Sequence, residues 1–290
     1  MSYGFSVQSS PWKAPSSRDR VRAGPRAILW SSAWLLLWII RPCPLAAQGG
    51  PPYYTNDPWT PGHLRWEINV GYMPFLSPDQ SMTHTPDLDL NFGLGDRIQL
   101  TCELAWLRLD VDPSPPKYGL SQDILGVKWR FYDNAERGFA ISVFPQASIN
   151  NPTRSVKQGL VPPGASLTLP VEVSKRLGPI AVNGELGYNL VHLGPDGWLA
   201  GVVAGHEKTI GHKKIRSVEF DAEFYASGAV DGPVSQETVG AGVRYKIHPP
   251  IVLLLMAGRG LQRTRQSQPS VVGYLGLQLL LPRRPFESNE

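Results

Sequence analysis

Three carboxylates, Glu219, Asp221 and Glu223, occupy every second position of the run VEFDAEF, and two bases, Arg244 and Lys246, do the same in VRYKI. Period two puts each set on one face of a β-strand. An antiparallel pairing that sets Asp221 against Arg244 and Glu219 against Lys246 makes either a salt-bridge ladder that stiffens a wall or a charged constriction that sorts what passes it. A second group is Asp87 and Glu103, followed by Lys128 and Arg130. A tight hairpin through Leu94, Gly95 and Asp96, with Gly95 in the left-handed conformation, sets Phe92 against Ile98, Asn91 against Gln99 and Asp87 against Glu103. Two facing carboxylates repel when both are ionised. They share a proton, hold a cation, or are neutralised by Lys128 or Arg130 on the next strand.

Catalytic chemistry finds little to work with. The histidines His63, His84, His192, His206, His212 and His248 are scattered, and HExxH and GxSxG are both absent. The glycines of GLGD at 93 to 96 and GAG at 240 to 242 read as turn and strand glycines, since no helix follows to cradle a phosphate. Cys102 falls in phase with Leu100 and Leu104 and reads as a small apolar filler. No cofactor and no metal are expected.

Those charges must be placed by elements, and the first 47 residues do not belong among them. Arg18, Arg20, Arg22 and Arg26 precede the apolar run AILWSSAWLLLWII and the small-residue exit PLAAQ. That is the order of a secretory signal, and the run falls short of the roughly 20 residues a spanning helix needs. Its removal near Ala47 takes Lys13, Arg18, Arg20, Arg22, Arg26 and Arg41 away against only Asp19. The chain's pI of 9.1 is therefore a property of its leader. What remains has no basic excess with which to grip phosphates, so nucleic acid is not an expected partner. It also keeps a single cysteine, which rules out an internal disulfide.

Residues 48–63, rich in Pro and Gly, read as an extended periplasmic lead-in. From there to 281, strand-like runs recur without a helical period: 64–75, 85–94, 97–110, 121–133, 138–150, 165–178, 180–192, 197–208, 213–226, 236–248, 251–261 and 270–281. Alternation is clearest where Leu88, Leu90 and Phe92 interleave with Asp87, Asp89 and Asn91, and where Leu125, Val127, Trp129 and Phe131 flank Lys128 and Arg130. Pro145 and Pro170 interrupt two of the runs. Long polar connections such as VDPSPPKYGL and NPTRSVKQGLVPPG alternate with tight ones such as NAER and Gly178 with Pro179. Long loops at one rim and short turns at the other are the pattern of outer-membrane barrels.

Burying an isolated charge on strand after strand in a dry core costs several kcal/mol each unless every one is paired. A wetted lumen removes that cost, and the apolar face then looks outward to lipid. The expected fold is all-β: a closed antiparallel up-and-down transmembrane β-barrel of about 12 strands over 64–281, with a tail at 282–290. The mean hydropathy of −0.18 agrees, since only half the strand residues need be apolar. Trp66, Trp106, Trp129, Trp198, Tyr188 and Tyr245 are candidates for interfacial girdles.

The stretches NDPWTPGHLRWEINVGY at 56–72 and TPDLDLNFGLGDRIQL at 85–100 resemble the opening strand and following hairpin of the outer-membrane transporters grouped as the MetA pathway of phenol degradation family. The resemblance covers about 45 residues and implies an outer-membrane barrel linked to uptake of aromatic compounds. Expected partners are outer-membrane lipid, the barrel assembly machinery and a small-molecule solute. The expected function is passive passage of small solutes, aromatic or hydrophobic ones among them, through a narrow or partly plugged pore. The competing readings are a lipid-modifying barrel enzyme, a soluble periplasmic β-sandwich or lipocalin-like binder, and a barrel that conducts nothing.

Overall fold

The computed structural model describes residues 50–149, 153–210, 216–232, 234–261 and 269–281. The export signal, the C-terminal tail and His212 lie outside them. Fourteen strand segments form one antiparallel sheet: β1 (Trp66–Leu76), β2 (Gln80–Leu94), β3 (Ile98–Val111), β4 (Ser114–Leu120), β5 (Asp123–Asn134), β6 (Phe139–Val143), β7 (Gln146–Ile149), β8 (Ser166–Leu177), β9 (Ile180–Val191), β10 (Gly197–Ile210), β11 (Arg216–Ala229), β12 (Val234–His248), β13 (Ile251–Gly260) and β14 (Val271–Leu281). β1 pairs with β14, and β3 pairs with β5, so the sheet closes on itself. β6 and β7 are two halves of one stave, both laddered to β5 and β8. The result is a closed twelve-stranded barrel with β4 as an extra strand, and each expected run has its counterpart.

The alternation resolves as the residue types require. Leu186 is 65% exposed and Phe220 57% on the outside, while Glu172 and Asn183 are fully buried on the inside. Trp66, Trp106, Trp129 and Tyr188 all stand outward. Trp66 lies against Phe92 and Trp129 against Phe131, at 4.8 and 5.7 Å between ring centres. Closure leaves no free sheet edge around the wall, which is what a strand assembly in hydrocarbon must achieve.

Two expected connections prove to be structured. The segment VDPSPPKYGL holds β4, which pairs only with β3 and carries Pro115 and Pro116 at an irregularity between Leu109 and Val111, where neither has a partner in the ladder. The segment between β7 and β8 carries a short helix, α1 (Thr153–Lys157). Beyond it Leu160 and Val161 turn inward and pack on Ala105, Leu107 and Leu109 of β3. Lys117 of β4 donates to the Gln158 carbonyl at 2.9 Å, and Gly119 leaves the room that Ser155 and Leu160 fill, so the β4 flap and this loop narrow the mouth together. Pro145 splits the fifth stave, yet its carbonyl still accepts from Val127 N at 3.0 Å.

The outward face makes a direct prediction. Leu255→Arg, at the middle of β13 on the outside, is expected to lower the unfolding free energy in lipid vesicles by about 2–4 kcal/mol. Lys246→Ala, on the inner face, is expected to stay within about 0.5 kcal/mol of wild type. Urea titration of the refolded protein reads both, and equal effects would mean that the outer wall does not face hydrocarbon.

Candidate functional site

The lead-in does not stay outside the barrel. From Gly50 to Thr60 it runs within the lumen, and its contacts are mostly with residues more than a hundred positions away. Thr55 donates from its backbone N and its Oγ1 to Glu223 Oε1 at 2.7 and 2.8 Å. Asn56 donates from N and Nδ2 to the Glu185 carboxylate at 2.8 and 3.3 Å. The Tyr53 hydroxyl donates to Asp221 Oδ2 at 3.1 Å, and Tyr54 stacks on Tyr225 with ring centres 4.9 Å apart. Lys128 Nζ donates to the Asp57 carbonyl, and Arg244 Nη2 to the Gly50 carbonyl at 3.0 Å. Arg130 lies over the Trp59 ring at 5.0 Å, and Thr60 Oγ1 reaches the Asp96 carbonyl at 2.9 Å.

The barrel wall is cut to receive this plug. Gly201 on β10 and Gly242 on β12 are inward positions without side chains. A Cβ at Gly201 would sit 2.2 Å from Thr55 Oγ1, and one at Gly242 would sit 2.5 Å from the Tyr53 hydroxyl. Tyr53 also enters the apolar cluster formed by Val203, Val252, Leu254, Met256, Val272 and Tyr274, which fixes the plug on the β12–β14 side.

Around the plug, the charges meet in a register shifted from the expected one. Asp89, not Asp87, faces Glu103, and Asp87 faces Ala105 beyond a bulge between His84 and Asp87. The turn starts one residue later than anticipated, since Leu94 pairs with Ile98 and Gly95, with φ of 73°, is its first residue. On the other wall Glu219 faces Arg244 and Ser217 faces Lys246. Arg244 reaches Asp221 only diagonally, Nε to Oδ2 at 4.0 Å. Both shifts are by two in the pairing, so every side chain keeps its face.

Lys128 and Arg130 make no ion pair with the facing carboxylates. Lys128 pairs with Glu172 of β8 at 3.4 Å, and Arg130 with Asp133 at 3.4 Å. Asp89 instead accepts from Asn69 and Asn91, each at 2.9 Å. The structure thus gathers Lys128, Glu223, Asp221 and Arg244 onto the plug, leaves Glu103 and Asp87 facing open space, and leaves Lys246 apart. Glu185 and Glu172 are lumen residues that alternation alone did not single out, because their strands carry few other charges to mark the inner face.

Two cavities flank the plug. On the long-loop side, under Leu160 and Val161, is a space of about 470 Å³. On the short-turn side a crevice of about 40 Å³ runs between the plug and the β1–β3 wall, beside Glu67, Asn91, Gln99 and Lys128. They adjoin at Gly50, Pro51, Asn56, Asp89 and Glu103. The crevice has room for a few waters and nothing larger. Among the described residues no group of His, Cys, Asp or Glu could hold a metal ion, and no hydrogen bond joins a histidine to a Ser, Thr or Cys side chain.

The chain is similar in structure to an outer-membrane channel from Pseudomonas putida F1, with a TM-score of 0.54 and 14% identity over 81% of this chain and 100% of that one. It is also similar to the KdgM porin, with a TM-score of 0.48 and 9% identity over 73% and 98% of the two chains. For the NanC porin the values are 0.46 and 8%, over 74% and 98%. The first of these likenesses shows a shared barrel fold. No protein-family model and no curated protein matches the sequence.

The glycine seat is open to test. Gly201→Leu is expected to push Thr55 off Glu223 and to raise single-channel conductance in planar bilayers several-fold, while the unboiled protein keeps the altered gel mobility of a closed barrel. An unchanged conductance in a folded variant would mean that the plug is not seated at Gly201.

Proposed function

We propose that the protein is an outer-membrane channel for passive movement of small solutes, aromatic and hydrophobic ones included, whose lumen is gated by its own N-terminal segment. The observation that carries this reading is the plug: a polar-walled, lipid-faced cylinder occupied by residues 50–60, with a solute-sized cavity above and a water-sized crevice beside it. With the plug seated, only water and small ions fit past it. A solute that fills the upper cavity needs the plug to move.

Three further facts support the finer parts of the reading. Cavities of some hundreds of Å³ with largely apolar walls suit small organic molecules, and this one is lined by Phe75, Met82, Leu107 and Tyr274 among others. The resemblance of 56–72 and 85–100 to the phenol-pathway transporters points to aromatic solutes. The sequence of residues 1–47 fits export across the inner membrane, after which the assembly machinery would insert the barrel into outer-membrane lipid. Transport of this kind uses neither an energy source nor a covalent step.

A reversible lock tests the gate. Thr55→Cys with Gly201→Cys, in a Cys102→Ala background, removes the Oγ1 that a Cβ at 201 would meet at 2.2 Å and leaves the two Cβ atoms 3.0 Å apart, so the bond forms once the plug gives by about half an ångström to reach the usual span of roughly 3.5–4.5 Å. Oxidation is expected to abolish entry of a small aromatic solute into liposomes while ion conductance persists, and reduction is expected to restore entry. Entry at the same rate in both states would show that the plug does not gate passage.

A further inference from the structure

The upper cavity has a lining of two chemical kinds. Apolar and aromatic side chains, Phe75, Met82, Leu107, Leu160, Tyr225 and Tyr274, supply one part of it. Four carboxylates, Asp87, Asp89, Glu103 and Glu185, and the imidazole of His84 supply another, in part on the same strands β2 and β3. Among the described residues no lysine or arginine lines it. The lumen cations at its margins are engaged elsewhere: Lys128 with Glu172 and the Asp57 carbonyl, Arg244 with the Gly50 carbonyl and against the Tyr53 ring at 5.5 Å.

The four carboxylates differ in how well they are served. Glu185 takes two hydrogen bonds from Asn56, and Asp89 takes one each from Asn69 and Asn91. Asp87 has His84 Nδ1 at 3.7 Å. Glu103 receives no hydrogen bond from the described residues, although it stands directly across the hairpin from Asp89. Among the described residues neither of these two facing carboxylates makes an ion pair, since Lys128, the nearest lumen cation in the adjoining crevice, is held by Glu172. An ammonium group between them would relieve their repulsion, and the rings that share the lining would attract the same charge and cover an apolar body.

We propose that this cavity binds a small organic cation, a protonated primary amine on an aromatic or compact apolar body, with the ammonium held between Glu103 and Asp89. The assignment deepens the channel reading and rests on it. Anions are excluded by the same carboxylates, and neutral analogues lose the charge-assisted hydrogen bonds while keeping the apolar contacts.

Calorimetric titration of the full-length protein in lipid nanodiscs tests this with three probes of one shape: 2-phenylethylamine, 2-phenylethanol and 3-phenylpropionate. The amine is expected to bind at least tenfold tighter than the alcohol, and the carboxylate is expected to show no binding. Glu103→Gln is expected to bring the amine-to-alcohol ratio close to one, with Asp89→Asn as the second variant should the first fail the gel-mobility test of folding. Equal binding of amine and alcohol to wild type, tighter binding of the carboxylate, or an amine preference that survives in both variants would overturn the proposal. Planar-bilayer recording of the same preparation separates the two claims. A protein that binds the amine yet passes no ions sinks the channel reading alone, and one that conducts without preferring the amine sinks only the cavity assignment.

Discussion

Every backbone N–H and C=O in the wall must find a partner within the wall, because hydrocarbon offers none. This decides how β3 is used. Its short-turn half, Ile98 to Glu103, ladders to β5 and closes the cylinder, while its long-loop half, Trp106 to Val111, ladders to β4. Ser121 manages the change of partner, giving its N to the Ala105 carbonyl at 2.8 Å and accepting Ala105 N on its Oγ at 2.8 Å. Above that point the chain no longer needs to close a barrel. The freed flap and the α1 loop then narrow the mouth, which is where the upper cavity gets its roof.

The same rule explains why the inside is acidic and yet ordered. The lumen carboxylates outnumber its bases, and the plug answers them with neutral donors: backbone N of Thr55 and Asn56 and the hydroxyls of Thr55 and Tyr53. Each such bond to a carboxylate contributes about 1.5–3 kcal/mol net, because water could take its place. A plug held by charge pairs in a dry core would be far costlier to withdraw. This one can be well placed and still leave, since Glu223, Glu185 and Asp221 would face a wetted lumen afterwards.

The wall was legible in the sequence because period two is a local property of ten residues. Lys128 between Val127 and Trp129, or Asp221 between Phe220 and Ala222, shows its face without reference to any other strand. Register was legible only as parity. The facing of Asp87 and Glu103 failed because the turn begins at Gly95 and not at Leu94, and the hydrophobic pattern is blind to a shift of two. β4 was hidden because Pro115 and Pro116 look like a loop to any rule built on paired strands, yet they sit at a register irregularity where no ladder bond is asked of them. That something plugs the pore was expected, but which segment does so was hidden: QGGPPYYTNDPWT has no period, and its partners on the wall sit 36 to 194 residues away. The one trace of it was inward glycine at 201 and 242, where a side chain was to be expected.

Because residues Gly50 to Tyr54 and Asn56 form part of the upper cavity, the proposed binding surface and the proposed gate share atoms. Tyr54 stacks on Tyr225, and both line the space, while Asn56 holds Glu185. In the proposed channel a solute bound there would contact the seated plug and so stabilise the closed state by its own differential affinity. Withdrawal of the plug would remove that floor and weaken the site at the same moment that it opened the way down. Retention and release would then be two states of one segment, and a solute would need to bind only tightly enough to enter, which is the condition a conducting pathway has to meet.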